Sequence, residues 1–223
     1  MIATFSLTTL LTAMRNVGGG DPHPVLAKGL RYIPPSATPR MNREAFEELS
    51  PFGFIQGDGF TPEFEDVLHL IDHPGEQFVA HARNTAGQIG VLIAKRSRTA
   101  VSLVCRADYV ELESVDTHPA DALVSKLPPC KPAGIKPFSV PQEEFQAKES
   151  DIFDEDRSRE VQELDALLQR PHLGIGQLHA HDTTVSYLDL EEGRVGIALD
   201  DGYISVLPGA PRQLSQKLGR HPR

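Results

Sequence analysis

The apolar positions of this chain run through the same rhythm twice. Each round opens on an amphipathic helical stretch ended by proline: Val67, Leu68 and Ile71 ahead of Pro74, then Leu164, Leu167 and Leu168 ahead of Pro171. Spacings of three and four place each trio on one helix face. Four short strand-like runs separated by polar turns follow in both rounds. A helix started by proline closes each, at Pro119 and at Pro211. "QFVAHARN" alternates, with Phe78, Ala80 and Ala82 on one side. "QIGVLIAK" and "RVGIAL" are apolar at both alternations and read as central strands.

Local matches reinforce the repeat. Tyr109-Val-Glu-Leu112 parallels Tyr203-Ile-Ser-Val206, and Lys126-Leu127 parallels Lys217-Leu218. His81-Ala-Arg83 parallels His179-Ala-His181 if one residue is inserted after Pro171. The two halves span about 62–129 and about 160–219. Four short strands and two helices would leave one sheet face thinly covered, so neither half makes a good independent domain. The pattern therefore predicts one domain over residues 1–223, an α/β fold of the α+β type. Its central twisted antiparallel β-sheet would be built from two α-β4-α pseudo-repeats with quasi-twofold symmetry, with helices packed on it.

Before the first round, residues 5–14 read as a short helix, followed by the broken stretch "VGGGDPHPVLAKG" and the extended connector "LRYIPPSATPR". Asn42 is placed to N-cap a helix carrying Ala45, Phe46 and Leu49. Gly57-Asp58-Gly59 marks a turn, and Thr61-Pro62-Glu63 has the chemistry of a helix start. Between the rounds, residues about 142–160 form an acidic, apolar-poor linker with a helix start at Pro141.

Composition narrows the function. Charged residues make up 24% and hydrophobic ones 39%, as in an ordinary globular protein. With 22 basic against 31 acidic residues the net charge is −9, which repels nucleic acid and anionic membranes. No stretch approaches the roughly 20 apolar residues of a membrane span. "MIATFSLTTLLTAMRNVGGG" lacks the basic n-region of a signal peptide, so a cytoplasmic location is expected. Two cysteines, Cys105 and Cys130, are too few for a disulfide framework, and Cys105 reads as a buried thiol.

Candidate chemistry concentrates in "GIGQLHAHD", residues 174–182. A dinucleotide fingerprint needs a third glycine and a helix after it; His179 and strand-like residues stand there instead. On a strand, His179 and His181 would share a face and could act as a pair of metal ligands. With a turn at Asp182-Thr183, Ser186 would oppose His179 and Thr184 would oppose His181, and neither supplies a good third ligand. No Gly-x-Ser-x-Gly elbow occurs, and neither cysteine has a histidine near it in sequence. The residues point to no catalytic site, no cofactor and no metal, and a plain polar strand is the simpler description of this stretch. A metal-dependent enzyme using His179 and His181, or a generic interaction module, are the alternative functions.

Four stretches, taken in order, resemble the EspG family, secretion-associated chaperones of the actinobacterial type VII (ESX) system. These are "LTTLLTAMRNVGGGDPHPVLAKG", "FTPEFEDVLHLIDHP", "KLPPCKPAGIKPFSVPQEEF", and "LLQRPHLGIGQLHAH" together with "GRVGIALDDGYISVLPGAPRQLSQKL". The resemblance spans roughly residues 5 to 220. It implies a central antiparallel sheet with a quasi-twofold axis and a cytosolic role without catalysis. That role is to hold secreted PE–PPE heterodimers, or similar helical ESX cargo, soluble for their secretion machine. One departure stands out: where family members often carry a long loop between early strands, this chain has only Asn84-Thr-Ala-Gly87, a tight hairpin signal. Candidate partner-binding residues are Arg83, Asn84, Thr85, Ala86 and Gly87, with Leu214 and Leu218 on the last helix. For those two leucines, helical periodicity alone favours core packing. A homodimer through a free sheet edge is a further expectation.

Overall fold

A computed structural model describes residues 2–29, 34–146 and 157–219. The fold is α+β, with ten strands in antiparallel sheet, a separate two-stranded hairpin and seven α-helices among the described residues. Most of the expected acidic linker lies outside those residues. The chain divides into two compact units: residues 1–81 with 87–126, and residues 82–86 with 127–223.

The first unit begins with β1 (Ile2–Ser6), α1 (Leu7–Asn16), α2 (Thr38–Leu49) and the hairpin of β2 (Ile55–Gln56) and β3 (Gly59–Phe60). The repeat follows as α3 (Pro62–Asp72), β4 (Glu76–Asn84), β5 (Gly87–Arg96), β6 (Thr99–Arg106), β7 (Tyr109–Ser114) and α4 (Pro119–Ser125). Its strands run in the order β1-β7-β6-β5-β4. Thr61 caps α3 as its sequence predicts, its side chain accepting from the Phe64 N–H. Asn42 does not cap α2. That helix starts at Thr38, where Pro39 fits the first turn because it lacks only an N–H that has no partner there.

The start of α1 is held by a carboxylate from α2. Glu48 accepts the Ser6 N–H at 2.7 Å, the Ser6 hydroxyl at 2.9 Å and the Thr9 hydroxyl. A negative charge at a helix N-terminus meets the unpaired N–H groups and the positive end of the helix dipole. Beneath lie the buried faces of α1 and α3 and a chain of phenylalanines, with Phe54 stacked on Phe64 at 4.2 Å between centroids and Phe5 and Phe60 edge-on to that pair.

The second unit repeats this order of elements. β8 (Phe138–Pro141) and α5 (Gln142–Gln146) come first, then α6 (Arg159–Gln169), β9 (Gly174–Ala180), β10 (Thr183–Leu190), β11 (Gly193–Asp200), β12 (Tyr203–Pro208) and α7 (Pro211–Leu218). The strands run β9-β10-β11-β12-β8. In each unit, then, a short strand that precedes the repeat pairs with the repeat's last strand: β1 with β7, β8 with β12. Both strands escape the sequence pattern. β1 runs directly into α1, and β8 has four residues ending in a proline that reads as a helix start.

One side of the second sheet packs on α6 through Val161, Leu164 and Leu167, against Val195 and Val206. Leu168, grouped with that face by spacing, is exposed instead. The other side is organised by a buried ion pair. Arg194 donates from Nε to Asp189 at 2.6 Å and from Nη2 at 2.8 Å, in the fork geometry that guanidinium and carboxylate share. Nη2 also donates to the Pro128 carbonyl at 2.8 Å, and the guanidinium lies 4.1 Å from the ring centroid of Tyr187. Backbone bonds complete the clasp: Arg194 N–H to the Lys131 carbonyl, and the Ala133 and Gly209 N–H groups to the Arg194 carbonyl. The segment Pro128–Ala133 is thereby tied to β11.

Burial alone would lower the Arg194 pKa, but the hydrogen bonds and charge of Asp189 outweigh it and hold the pKa above the ordinary arginine value. Burial pushes the Tyr187 phenol up to about 12, with a smaller opposing pull from Arg194. The Cys130 thiol is raised by burial and then by Asp189, which makes it a poor nucleophile.

Two outcomes follow from the clasp. Arg194→Met leaves the Asp189 carboxylate buried without a partner and should cost about 3–5 kcal/mol, read from urea unfolding. The Arg194→Met/Asp189→Leu pair should cost clearly less than that single change, and equal losses would show that the ion pair is not the source. Tyr187 has its folded pKa above the ordinary value of 10.0, so the stability from keeping its phenol neutral is complete below pH 10 and falls as pH rises through about 12. Ultraviolet titration should show a late tyrosinate step that Tyr187→Phe removes.

Candidate partner-binding surface

"GIGQLHAHD" forms β9 and the turn after it. Its glycines serve packing. A Cβ on Gly176 would lie 2.3 Å from the Tyr187 ring, so only glycine lets that ring cross beneath β9 to Arg194. A Cβ on Gly174 would lie 3.2 Å from the Arg83 carbonyl and 3.3 Å from Asn84 Cβ, so glycine here admits the end of β4.

The histidines part company. The turn falls at His181-Asp182, one residue earlier than expected, with His181 at φ 52°, in the left-handed region. Thr184 therefore opposes His179 and Ser186 opposes Gln177. His179 lies on β9, its Nδ1 3.0 Å from the Thr184 hydroxyl, while His181 belongs to the turn and cannot share the strand face. Among the described residues no three histidine, cysteine, aspartate or glutamate side chains gather as metal ligands would. The turn also corrects the repeat register. His181-Asp182 corresponds to Thr85-Ala86, so His179 matches Arg83 and Gln177 matches His81, two residues from the sequence match. The Tyr109 and Tyr203 match stands, each tyrosine opening its strand after a turn whose first residue, Ala107 or Asp201, has positive φ.

The hairpin between β4 and β5 is as short as the sequence predicts. Thr85-Ala86 makes the turn, and the Asn84 side chain accepts the Ala86 N–H at 2.9 Å. Gly87 takes φ 127°, which glycine adopts without strain. Arg83 is exposed and Asn84 half-buried, so the tip offers polar groups to solvent. Leu214 and Leu218 do not join it. Both are fully buried on α7, where Leu214 packs against Gly196, and neither presents surface to a partner.

Exposed apolar groups appear where the sequence reading did not place them. Leu168, Leu173 and Ile175 follow one another from α6 into β9, and Leu199 stands at the end of β11. Leu173 is anchored by its N–H to the Asp189 carbonyl at 2.7 Å. Ile175, Gln177 and His179 alternate along one side of β9, while Gly176, Leu178 and Ala180 on the other side are buried. That side of β9 is thus a mixed surface on a rigid strand: apolar at the Ile175 end, hydrogen-bonding at the His179 end. The signal was present in Leu173 and Ile175 sharing the alternation of Gln177 and His179, but polar neighbours hid it. No helix of the described residues is long and apolar enough to cross a membrane.

Comparison with known proteins agrees with this architecture. The chain superposes on the Mycobacterium tuberculosis type VII secretion system chaperone EspG5, solved in complex with the PE25–PPE41 dimer, with a TM-score of 0.73. Identity is 14%, and the match covers 98% of this chain and 94% of that one. No curated protein matches significantly by sequence. The model of the EspG family matches residues 6–220. With nearly its whole length covered by that match, the chain belongs to the EspG family.

Proposed function

We propose that this chain is a cytoplasmic chaperone of type VII secretion, which binds a helical secreted heterodimer of the PE–PPE kind, keeps it soluble and directs it to its secretion machine. It does so by binding alone, without catalysis. The observation that carries this reading is the EspG family match over residues 6–220; the fold shared with EspG5 supports it.

A chaperone of this kind must cover an apolar helix tip while staying soluble itself. A broad apolar face would aggregate, whereas a few leucine and isoleucine side chains set among polar groups on a stiff strand would not. The outer side of β9 has that composition, and the clasp on its other side holds the strand. We assign cargo contact to Leu173 and Ile175 together with the polar tip Arg83, Asn84, Thr85, Ala86 and Gly87. The short tip limits how far the chain can reach around its cargo, so the strand face carries more of the contact.

Purified chain mixed with PE–PPE heterodimers from its own host should yield a stoichiometric complex by size exclusion, and absence of a complex with every such pair would overturn the chaperone reading. Leu173→Asp with Ile175→Asp should weaken binding by about tenfold or more while the melting temperature holds. Unchanged affinity would move the cargo surface elsewhere on the molecule.

A further inference from the structure

The first unit holds a cleft of about 710 Å³, lined by none of the residues assigned to cargo and independent of the cargo reading. Its volume lies in the range of small-ligand sites. Three helices and a hairpin build it. Asn16 comes from the end of α1, Arg43 and Phe46 from α2, Asp58 and Phe60 from the β2–β3 hairpin, Glu65 and His69 from α3. Each group has a reason to be there. Glu65 and His69 stand one turn apart on α3, and Arg43 and Phe46 three residues apart on α2, so each pair shares a helix face. The Gly57 turn, at φ 61°, brings Asp58 to the mouth.

The floor is aromatic: Phe46 and Phe60 lie 5.1 Å apart and tilted by 33°, and Phe60 is fixed from behind by Phe64 at 5.5 Å. Around it the polar side chains are uncommitted. Arg43, Asp58, Glu65 and His69 form no ion pair among the described residues, although ion pairs are made elsewhere in the unit, as between Lys95 and Glu76. Two carboxylates face one guanidinium, and the negative end of the α1 dipole adds to the same side. An aromatic floor under an excess of negative charge favours one class of ligand, because a cation gains both the ring quadrupole and the carboxylates.

We infer that this cleft binds an organic cation, a guanidinium or alkylammonium group on an apolar stem. The stem lies against Phe46 and Phe60 and the charged head faces Asp58 and Glu65. Arg43 opposes such a ligand and sets the affinity low. Two sources can present this chemistry, a basic side chain of a partner or a free polyamine.

Calorimetric titration of the full chain with N-acetylarginine amide, spermidine and N-acetylcitrulline amide tests the assignment, with amide NMR shifts near Phe46, Asp58 and Phe60 locating the site. The arginine derivative or spermidine should bind at least about tenfold more tightly than the neutral citrulline control. Asp58→Asn with Glu65→Gln should remove that preference, and Arg43→Gln should strengthen cation binding about two- to fivefold. These positions are at the surface, and an unchanged melting temperature separates loss of binding from loss of fold. Tighter binding of the arginine derivative identifies a partner's side chain, and tighter binding of spermidine a free polyamine; either supports the site. Equal binding of cation and citrulline, shifts confined to other regions, or a preference that survives removal of both carboxylates would overturn it.

Discussion

Arg194 is the point at which the second unit is tied together, because a single buried guanidinium satisfies three demands at once. It neutralises Asp189, it accepts Tyr187 as a neighbour, and it holds the proline-rich segment Pro128–Ala133 through the Pro128 carbonyl. A guanidinium with five donors in a fixed plane can do this where an ammonium could not. Burying two charges is costly in itself, and the cost is offset only because every partner is in place. The arrangement therefore specifies one geometry of strand and segment rather than merely adding stability.

The packing beside the clasp also sets which side of the neighbouring strand β9 is buried. Gly176 is glycine because the Tyr187 ring passes there, and the alternation of the strand turns its neighbours Ile175 and Gln177 to the other side. A rigid strand with its inner side locked by the clasp can present a mixed outer side without collapsing it. The first unit solves the comparable problem by other means. A carboxylate from α2 holds the start of α1, and stacked phenylalanines fill the space beneath.

Much of the fold was legible in sequence because local physics decided it. The Thr61 cap, the helices opened by Pro119 and Pro211, and the hairpin at Thr85-Ala86 each follow from residues within a few positions of one another. β1 and β8 were not legible, since each is short and becomes a strand only by pairing with β7 or β12, far along the chain. Asn42 misled because a good capping residue inside a helix costs little when an earlier proline has already started it. His181 misled because a one-residue difference in the turn removes a side chain from the strand face altogether.

The sequence by itself determined the order of helices and strands within each of the two rounds, the twofold rhythm of the chain and the family to which it is similar, because periodicity and turn chemistry are local. Only the tertiary structure decided which apolar side chains remain outside. Leu168 and Leu173 are the same residue type as Leu164, Leu214 and Leu218, yet the first two are exposed and the last three buried. Residue type fixes how much is gained by leaving water, but which side chains find a covering element depends on strands and helices brought together from distant parts of the chain.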